Sequence, residues 1–197
     1  MRLILLSLLA APLPALASDA PEHVLPMWMQ GGHPAVAVLL DGRAEPLRFV
    51  VDSAAGATLV DARVARRYGL EDADAAVSHA QGASAKAARL QRTRSTSWQL
   101  GSWQLQARGM QVDLSSLAKD DDPAIDGLIG NDLTGRWDTR WDFGGNRLAL
   151  WTPGRLNLEG PGCQPNALPE RTASLRQFGF ITLALGTPGV EAIAVSP

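Results

Sequence analysis

Phe49-Val50-Val51-Asp52-Ser53-Ala54-Ala55-Gly56-Ala57-Thr58-Leu59-Val60 is the stretch that decides how this chain is read. A short apolar run of strand-forming residues ends on a carboxylate and passes into a turn built from small residues. Such a run delivers Asp52 to the end of a strand. Further along stands Asp126-Gly127-Leu128-Ile129-Gly130-Asn131-Asp132, another apolar pair closed by glycine and followed by a polar turn. Trp137-Asp138-Thr139-Arg140-Trp141-Asp142-Phe143 comes next. The turn Gly144-Gly145-Asn146 then leads into Arg147-Leu148-Ala149-Leu150-Trp151, giving a hairpin signal.

Between these landmarks the pattern is one of short strands and turns. Ser18 to Pro34 reads as a loose lead, Ala35 to Leu40 as a strand, Asp41-Gly42 as a turn, and Leu47 to Asp52 as the pairing strand. Asp61 stands where a helix cap belongs, and Val60, Val64 and Tyr68 recur at helical spacing before Gly69 ends the helix. A modest strand is expected near Ala75 to His79 and a long alternating one from Leu90 to Leu100. The small, polar, glycine-containing segment Ala80 to Ala88 lies between them. Trp98 to Leu100, Gly101-Ser102 and Trp103 to Ala107 form a second hairpin signal, with alternation continuing to Val112. Asn131 to Arg136 reads as a short helical turn.

The ends of the chain carry different information. Met1-Arg2, the apolar Leu3 to Ala11 and the closing Ala15-Leu16-Ala17 have the layout of a signal peptide, so residues 1–17 are set aside and an exported, periplasmic or secreted protein is expected. That apolar stretch is short of the roughly 20 residues needed to span a bilayer, and no membrane span is expected elsewhere. Cys163 is the only cysteine, which rules out an internal disulfide. The formal charge is -2 with scattered arginines, giving no nucleic-acid footprint. Residues 157–175 read as a linker rich in Gly, Pro and Asn. Phe180 to Val195 repeats the plan of Val36 to Val51, strand, turn, apolar strand, and then ends on Ser196-Pro197 where the first copy has Asp52. Residues 176–197 are therefore either a hairpin added to the first domain or the start of a second lobe.

Together, Asp52-Ser53-Ala54 and Leu128-Ile129-Gly130, with the hairpin that follows, resemble the bacterial retropepsin-like aspartyl protease family over about Ala35 to Trp151. The resemblance implies a mainly β fold, a closed β-barrel lobe with one or two short helices in a domain spanning residues 35–156. It implies Asp52 as the catalytic carboxylate and Ser53 as the hydroxyl joining two active turns, with Ala54, Gly56 and Thr58 supporting the turn. Leu128, Ile129 and Gly130 would pack beneath that turn, and Asp132 would be structural. Gln81, Gly82 and Ala83 would belong to a flap closing over a peptide or protein substrate. A second carboxylate would come from a homodimer partner or a second lobe, with no cofactor and no metal.

The chemistry gives the reason for the pair. Two carboxylates forced together share one proton, so one can accept a proton from water while the other donates to the substrate carbonyl. This chain departs from the family at Ala54, where the motif has glycine. If the turn needs positive φ there, a methyl group costs roughly 1–3 kcal/mol; at negative φ it costs little. The alternative is a catalytically silent, peptide-binding or structural module of the cell envelope that keeps the fold. Asp126, Asp138 and Asp142 read as loop caps and solvated strand positions, and Lys119-Asp120-Asp121-Asp122-Pro123 as a solvated loop. The tryptophans, among them Trp98, Trp103, Trp137, Trp141 and Trp151, read as core and cross-strand packing rather than a sugar platform. His23, His33 and His79 share no metal-ligand spacing.

Overall fold

The computed structural model describes residues 20–81, 87–117, 123–156 and 192–194. The signal stretch 1–17, the flap residues Gly82 and Ala83, the charged loop over 118–122, the linker over 157–175 and most of the segment 176–197 lie outside the described residues. In chain order the elements are β1 His23–Gln30, β2 His33–Leu40, β3 Leu47–Val51, β4 Leu59–Asp61, α1 Ala62–Arg67, β5 Val77–Gln81, β6 Ala87–Arg92, β7 Thr96–Leu100, β8 Trp103–Ala107, β9 Met110–Val112, β10 Gly127–Ile129, α2 Asn131–Thr134, β11 Asp138–Asp142, β12 Arg147–Trp151 and β13 Ala192–Ala194. Among the described residues the domain is mainly β with two short α-helices and one 3-10 turn, Ser115–Leu117.

The lead over 18–34, expected to be loose, instead carries β1. Its first half, His23 to Pro26, pairs antiparallel with β12, and its second half, Met27 to Gln30, pairs antiparallel with β2. Pro26 sits where the strand changes partners, a place where a missing N–H is tolerated. A proline in the middle of the run hides this strand from a sequence reader. The expected long strand from Leu90 to Leu100 is also two strands. Thr93 is fully buried between them. Its N–H donates to the Gly109 carbonyl, and its hydroxyl accepts from the Gly109 N–H at 3.0 Å. There the chain leaves the pairing of β6 with β9 and enters that of β7 with β8 and β2.

The barrel expected to close does not close among the described residues. The strand order runs β13-β11-β12-β1-β2-β3-β10-β4-β9-β6-β5, with β7 and β8 branching from β2. β13 pairs antiparallel with β11. At the centre, β10 lies parallel to β3 on one side and antiparallel to β4 on the other.

Alternation along β3 divides its side chains between two apolar clusters. Phe49 and Val51 enter the main core with Val36, Val38, Val60, Ile129, Trp98 and Leu148, where Phe49 meets the Trp98 ring edge to face at 5.5 Å between centroids. Val50 enters a second, smaller cluster with Val112, Leu114 and Leu128. Trp98, Trp103, Trp141 and Trp151 are buried. Trp103 and Trp137 pack edge to face, and His23 stacks on Trp103. Each fully buried aliphatic or aromatic side chain stabilises by about 1.5–3 kcal/mol, so the larger cluster dominates stability.

Helix α1 starts as its sequence predicts, with the Asp61 carboxylate accepting from the Arg63 N–H. Gly69, at φ 60, carries the chain out of the helix. Arg94 fastens this end: its Nε donates to the Gly69 carbonyl at 2.6 Å and its Nη2 pairs with Asp41 at 3.1 Å. Asp41 turns the chain between β2 and β3 at φ 51. The Thr96 hydroxyl, the Ser97 N–H and Arg94 all donate to the Asp41 carboxylate and hold it below its ordinary range. A depressed carboxyl pKa stabilises the fold above the unfolded value near 4, and this contribution is lost as pH falls through the lower folded value. Asp41→Asn, which still tolerates positive φ, should therefore lower the urea midpoint at pH 7. The difference from the parent should shrink toward pH 3, as measured by unfolding at both pH values.

Candidate functional site

Asp52 follows directly on β3 and begins a turn whose Ser53, Ala54 and Gly56 are exposed, while Asp52, Ala55 and Ala57 are half-buried. The turn holds itself at its start: the Asp52 Oδ1 accepts from the Ala54 N–H at 2.9 Å, and the Asp52 carbonyl accepts from the Ala55 N–H at 3.2 Å. This is the local geometry that aspartate favours when it opens a turn. Among the described residues the only non-glycine residues at positive φ are Asp41 and Asn146. Ala54 is therefore free of left-handed strain, and its methyl group is accommodated. Gly56 has no positive φ either, and a Cβ on it would meet open space. Neither residue is required by backbone conformation.

The other side of the turn is held by the segment from β10 to α2. The Asp52 N–H donates to the Ile129 carbonyl at 2.9 Å, one residue beyond the last β3–β10 pair, Ile129 with Val51. The Asn131 N–H donates to the Ala55 carbonyl at 2.8 Å. Thr58, buried at the far end of the turn, accepts from the Gly130 N–H at 3.0 Å and donates its hydroxyl to Asp132 Oδ1 at 2.7 Å. Gly130 makes this approach possible. A Cβ there would stand 2.5 Å from the Ala57 carbonyl carbon and 2.8 Å from the Ala55 carbonyl oxygen, both backbone atoms that cannot swing aside.

The structure thus brings Asp52, Thr58, Leu128, Ile129 and Gly130 into one assembly, with Ser53 and Ala54 at its exposed tip. Ile129 points into the main core and Leu128 into the second cluster. By alternation along the chain, the face of β3 that bears Val50 also bears Asp52. Partly buried Leu59, Ala88, Leu90 and Ile125 pack against the second cluster, so an apolar shelf lies on the carboxylate's side of the sheet. Gln81 ends β5; of the flap candidates it alone has a described backbone.

Three acids expected to cap loops or face solvent fare differently. The Asp142 Oδ1 accepts from the Gly145 N–H at 2.6 Å and its Oδ2 pairs with Arg147 at 2.7 Å, the Gly145 N–H being the main cause that holds its carboxyl below the ordinary range. Asp138, though buried, accepts from the Gly154 N–H at 2.7 Å. Asp126 is not a solvated cap. It is buried at the start of β10, where it bonds Arg48 and Arg63. Sequence reading missed both Asp126 and Arg63 as parts of this assembly. The position of Asp126 directly before Gly127 was the only signal, and nothing in the spacing pointed to Arg63. Among the described residues no group of three or more His, Cys, Asp or Glu side chains could hold a metal ion, and no helix is long and apolar enough to cross a membrane.

Residues 36–133 match the sequence model of the family described as Aspartyl protease. The chain is similar in structure to a retropepsin-like aspartic protease from Rickettsia conorii, at 14% identity over 65% of this chain and 88% of that one, with a TM-score of 0.44. It is similar to the retroviral protease-like domain of Ddi1 from Leishmania major at 16% identity, covering 63% and 96%, with a TM-score of 0.40. The EIAV protease complexed with the inhibitor HBY-793 gives 14% identity, 51% and 84% coverage, and a TM-score of 0.37. No curated protein matches the chain at a significant level.

The packing at Gly130 gives a direct test of the assembly. Gly130→Ala should destabilise the protein by about 1–3 kcal/mol, because the new methyl group meets backbone on the turn side. Equilibrium urea unfolding measures this, and a change within about 0.5 kcal/mol would show that the turn is free to move away.

Proposed function

The chain belongs, through residues 36–133, to the aspartyl protease family, and on that premise we propose that it is an aspartic endopeptidase with Asp52 as its reacting carboxylate. The family match supports aspartic protease function in general. The observation that carries the finer reading is the placement of Asp52 at a strand end, in an exposed turn whose backbone is bonded to Ile129 and Asn131 and whose Thr58 hydroxyl accepts the Gly130 N–H. With its main chain strapped in place and its Oδ1 accepting the Ala54 N–H, the carboxylate has less to rearrange when a second carboxylate and a water approach it.

One such turn is half a site. The second carboxylate comes from another copy of the chain across a two-fold axis, or from a second lobe. The pair holds one proton between its members. The unprotonated member takes a proton from water as the water attacks the peptide carbonyl, and the protonated member gives its proton to the carbonyl oxygen, forming a tetrahedral gem-diol. The C–N bond then breaks as the newly protonated member passes its proton to the leaving nitrogen and the other member takes one from a gem-diol hydroxyl, which restores the shared proton. No covalent enzyme intermediate forms. Substrate side chains beside the scissile bond rest on Leu59, Leu90 and Ile125, which favours apolar residues there. The signal-like residues 1–17 make the exported compartment the place of action.

The silent-module reading has two motives, Ala54 and the missing second aspartate; the absence of positive φ at Ala54 weighs against the first and leaves the second in place. Two expected outcomes separate the readings. Asp52→Asn abolishes cleavage of an unfolded protein at mildly acidic pH with the fold intact by circular dichroism; undiminished cleavage overturns the assignment. Ala54→Gly leaves kcat/KM within about threefold and lowers stability by about 0.4–1 kcal/mol through the freer unfolded chain. A gain of two orders of magnitude in kcat/KM would show instead that the alanine distorts the turn.

A further inference from the structure

β10 is three residues long and carries the backbone that holds the Asp52 turn, yet it sits between two strands that run in opposite directions relative to it. A strand this short has few ladder bonds with which to choose its register. A slip of one residue would exchange the faces of Leu128 and Ile129, and would bring a side chain to the place where Gly130 has no room for one. The far end of β10 is held by Asp126. Its N–H donates to the Arg48 carbonyl at 2.8 Å, and its Oδ2 accepts the Arg48 N–H at 2.8 Å, so it grips the start of β3 in both directions. Its carbonyl accepts the Asp61 N–H of β4 at 2.9 Å. Its Oδ1 pairs with Arg63 Nη2 of α1 at 2.8 Å. One residue therefore ties β3, β4 and α1 to the start of β10, while Ile129, Gly130 and Asn131 tie its other end to Asp52, Thr58 and Ala55.

We propose that Asp126 is a positioning residue: it sets the register of β10 against β3 and so fixes where the Asp52 carboxylate stands. The catalytic part of this statement rests on Asp52 being the reacting group; the structural part does not. The Arg48 N–H is the critical contact, because it is a backbone donor that loses its acceptor if the carboxylate is removed. The Arg63 pair is secondary, since its guanidinium is half-exposed.

The test is amide hydrogen exchange by NMR on the folded chain, together with steady-state cleavage. In Asp126→Ala, exchange at the Asp52 and Asn131 amides should rise on the order of tenfold or more, relative to the amides of Met27 and Asp41. Those two donate to the Asn146 and Ser97 carbonyls in other parts of the sheet. Arg63→Gln, which leaves the Arg48 contact in place, should change the Asp52 and Asn131 amides by less than about threefold. In cleavage, Asp126→Ala should lower kcat on the order of 10- to 100-fold with KM little changed, as expected for a displaced reacting group. Should the alanine variant fail to fold, Asp126→Asn is read in the same way, with a smaller rise expected. Unchanged exchange at Asp52 and Asn131, or a rise shared equally by Met27 and Asp41, overturns the proposal. If the parent protein cleaves nothing, the role given to Asp52 fails, and the exchange pattern alone decides the role of Asp126.

Discussion

The close approach of the Gly130 backbone to the turn between Asp52 and Thr58 is the contact on which the rest of this site depends. No side chain fits there, so the turn and the β10–α2 junction act as one unit joined by the bonds Asp52 N–H to Ile129, Asn131 N–H to Ala55 and Gly130 N–H to Thr58. Each hydrogen bond contributes a net 0.5–1.5 kcal/mol or so, less than the burial of Phe49, Val51 or Ile129 alone. Packing therefore decides that the domain folds, and the hydrogen bonds decide where Asp52 ends up.

The sheet serves both ends through the two-residue period of β3. Phe49 and Val51 pack into the main core against Trp98 and Val60, while Val50 faces the smaller cluster with Leu128. Continuing the alternation places the Asp52 carboxylate on the side of the smaller cluster. This side is apolar but only partly covered, through Leu59, Leu90 and Ile125. A carboxylate at the edge of an apolar shelf, rather than inside the main core, stays half-buried and is reached from outside without dismantling the fold.

Much of this was readable in the residues, and the parts that were not share a physical cause. The helix at Ala62–Arg67 followed from its cap Asp61 and the spacing of Val60, Val64 and Tyr68, and the hairpins followed from Asp41-Gly42, Gly101-Ser102 and Gly144-Gly145-Asn146. These are local signals. The strand through Pro26 was hidden because proline normally argues against a strand, and only the change of partner from β12 to β2 makes it acceptable. The break at Thr93 was hidden because alternation continues across it, while the reciprocal bonds to Gly109 that cause it come from 16 residues away. Openness of the sheet among the described residues is likewise a matter of which edges meet. At the site, Asp52, Leu128, Ile129 and Gly130 stood out by type and order. The strain at Ala54 could not be judged without φ, and the grip of Asp126 on Arg48 and Arg63 joins positions 78 and 63 residues apart.

The most direct measurement is an experimental structure of the protein with a peptide that carries a hydroxyl group in place of the scissile carbonyl, a stand-in for the tetrahedral intermediate. The hydroxyl should lie within hydrogen-bond distance of the Asp52 carboxylate, with the flanking side chains on Leu59, Leu90 and Ile125. A peptide bound with its hydroxyl away from Asp52 would contradict the role given to that residue.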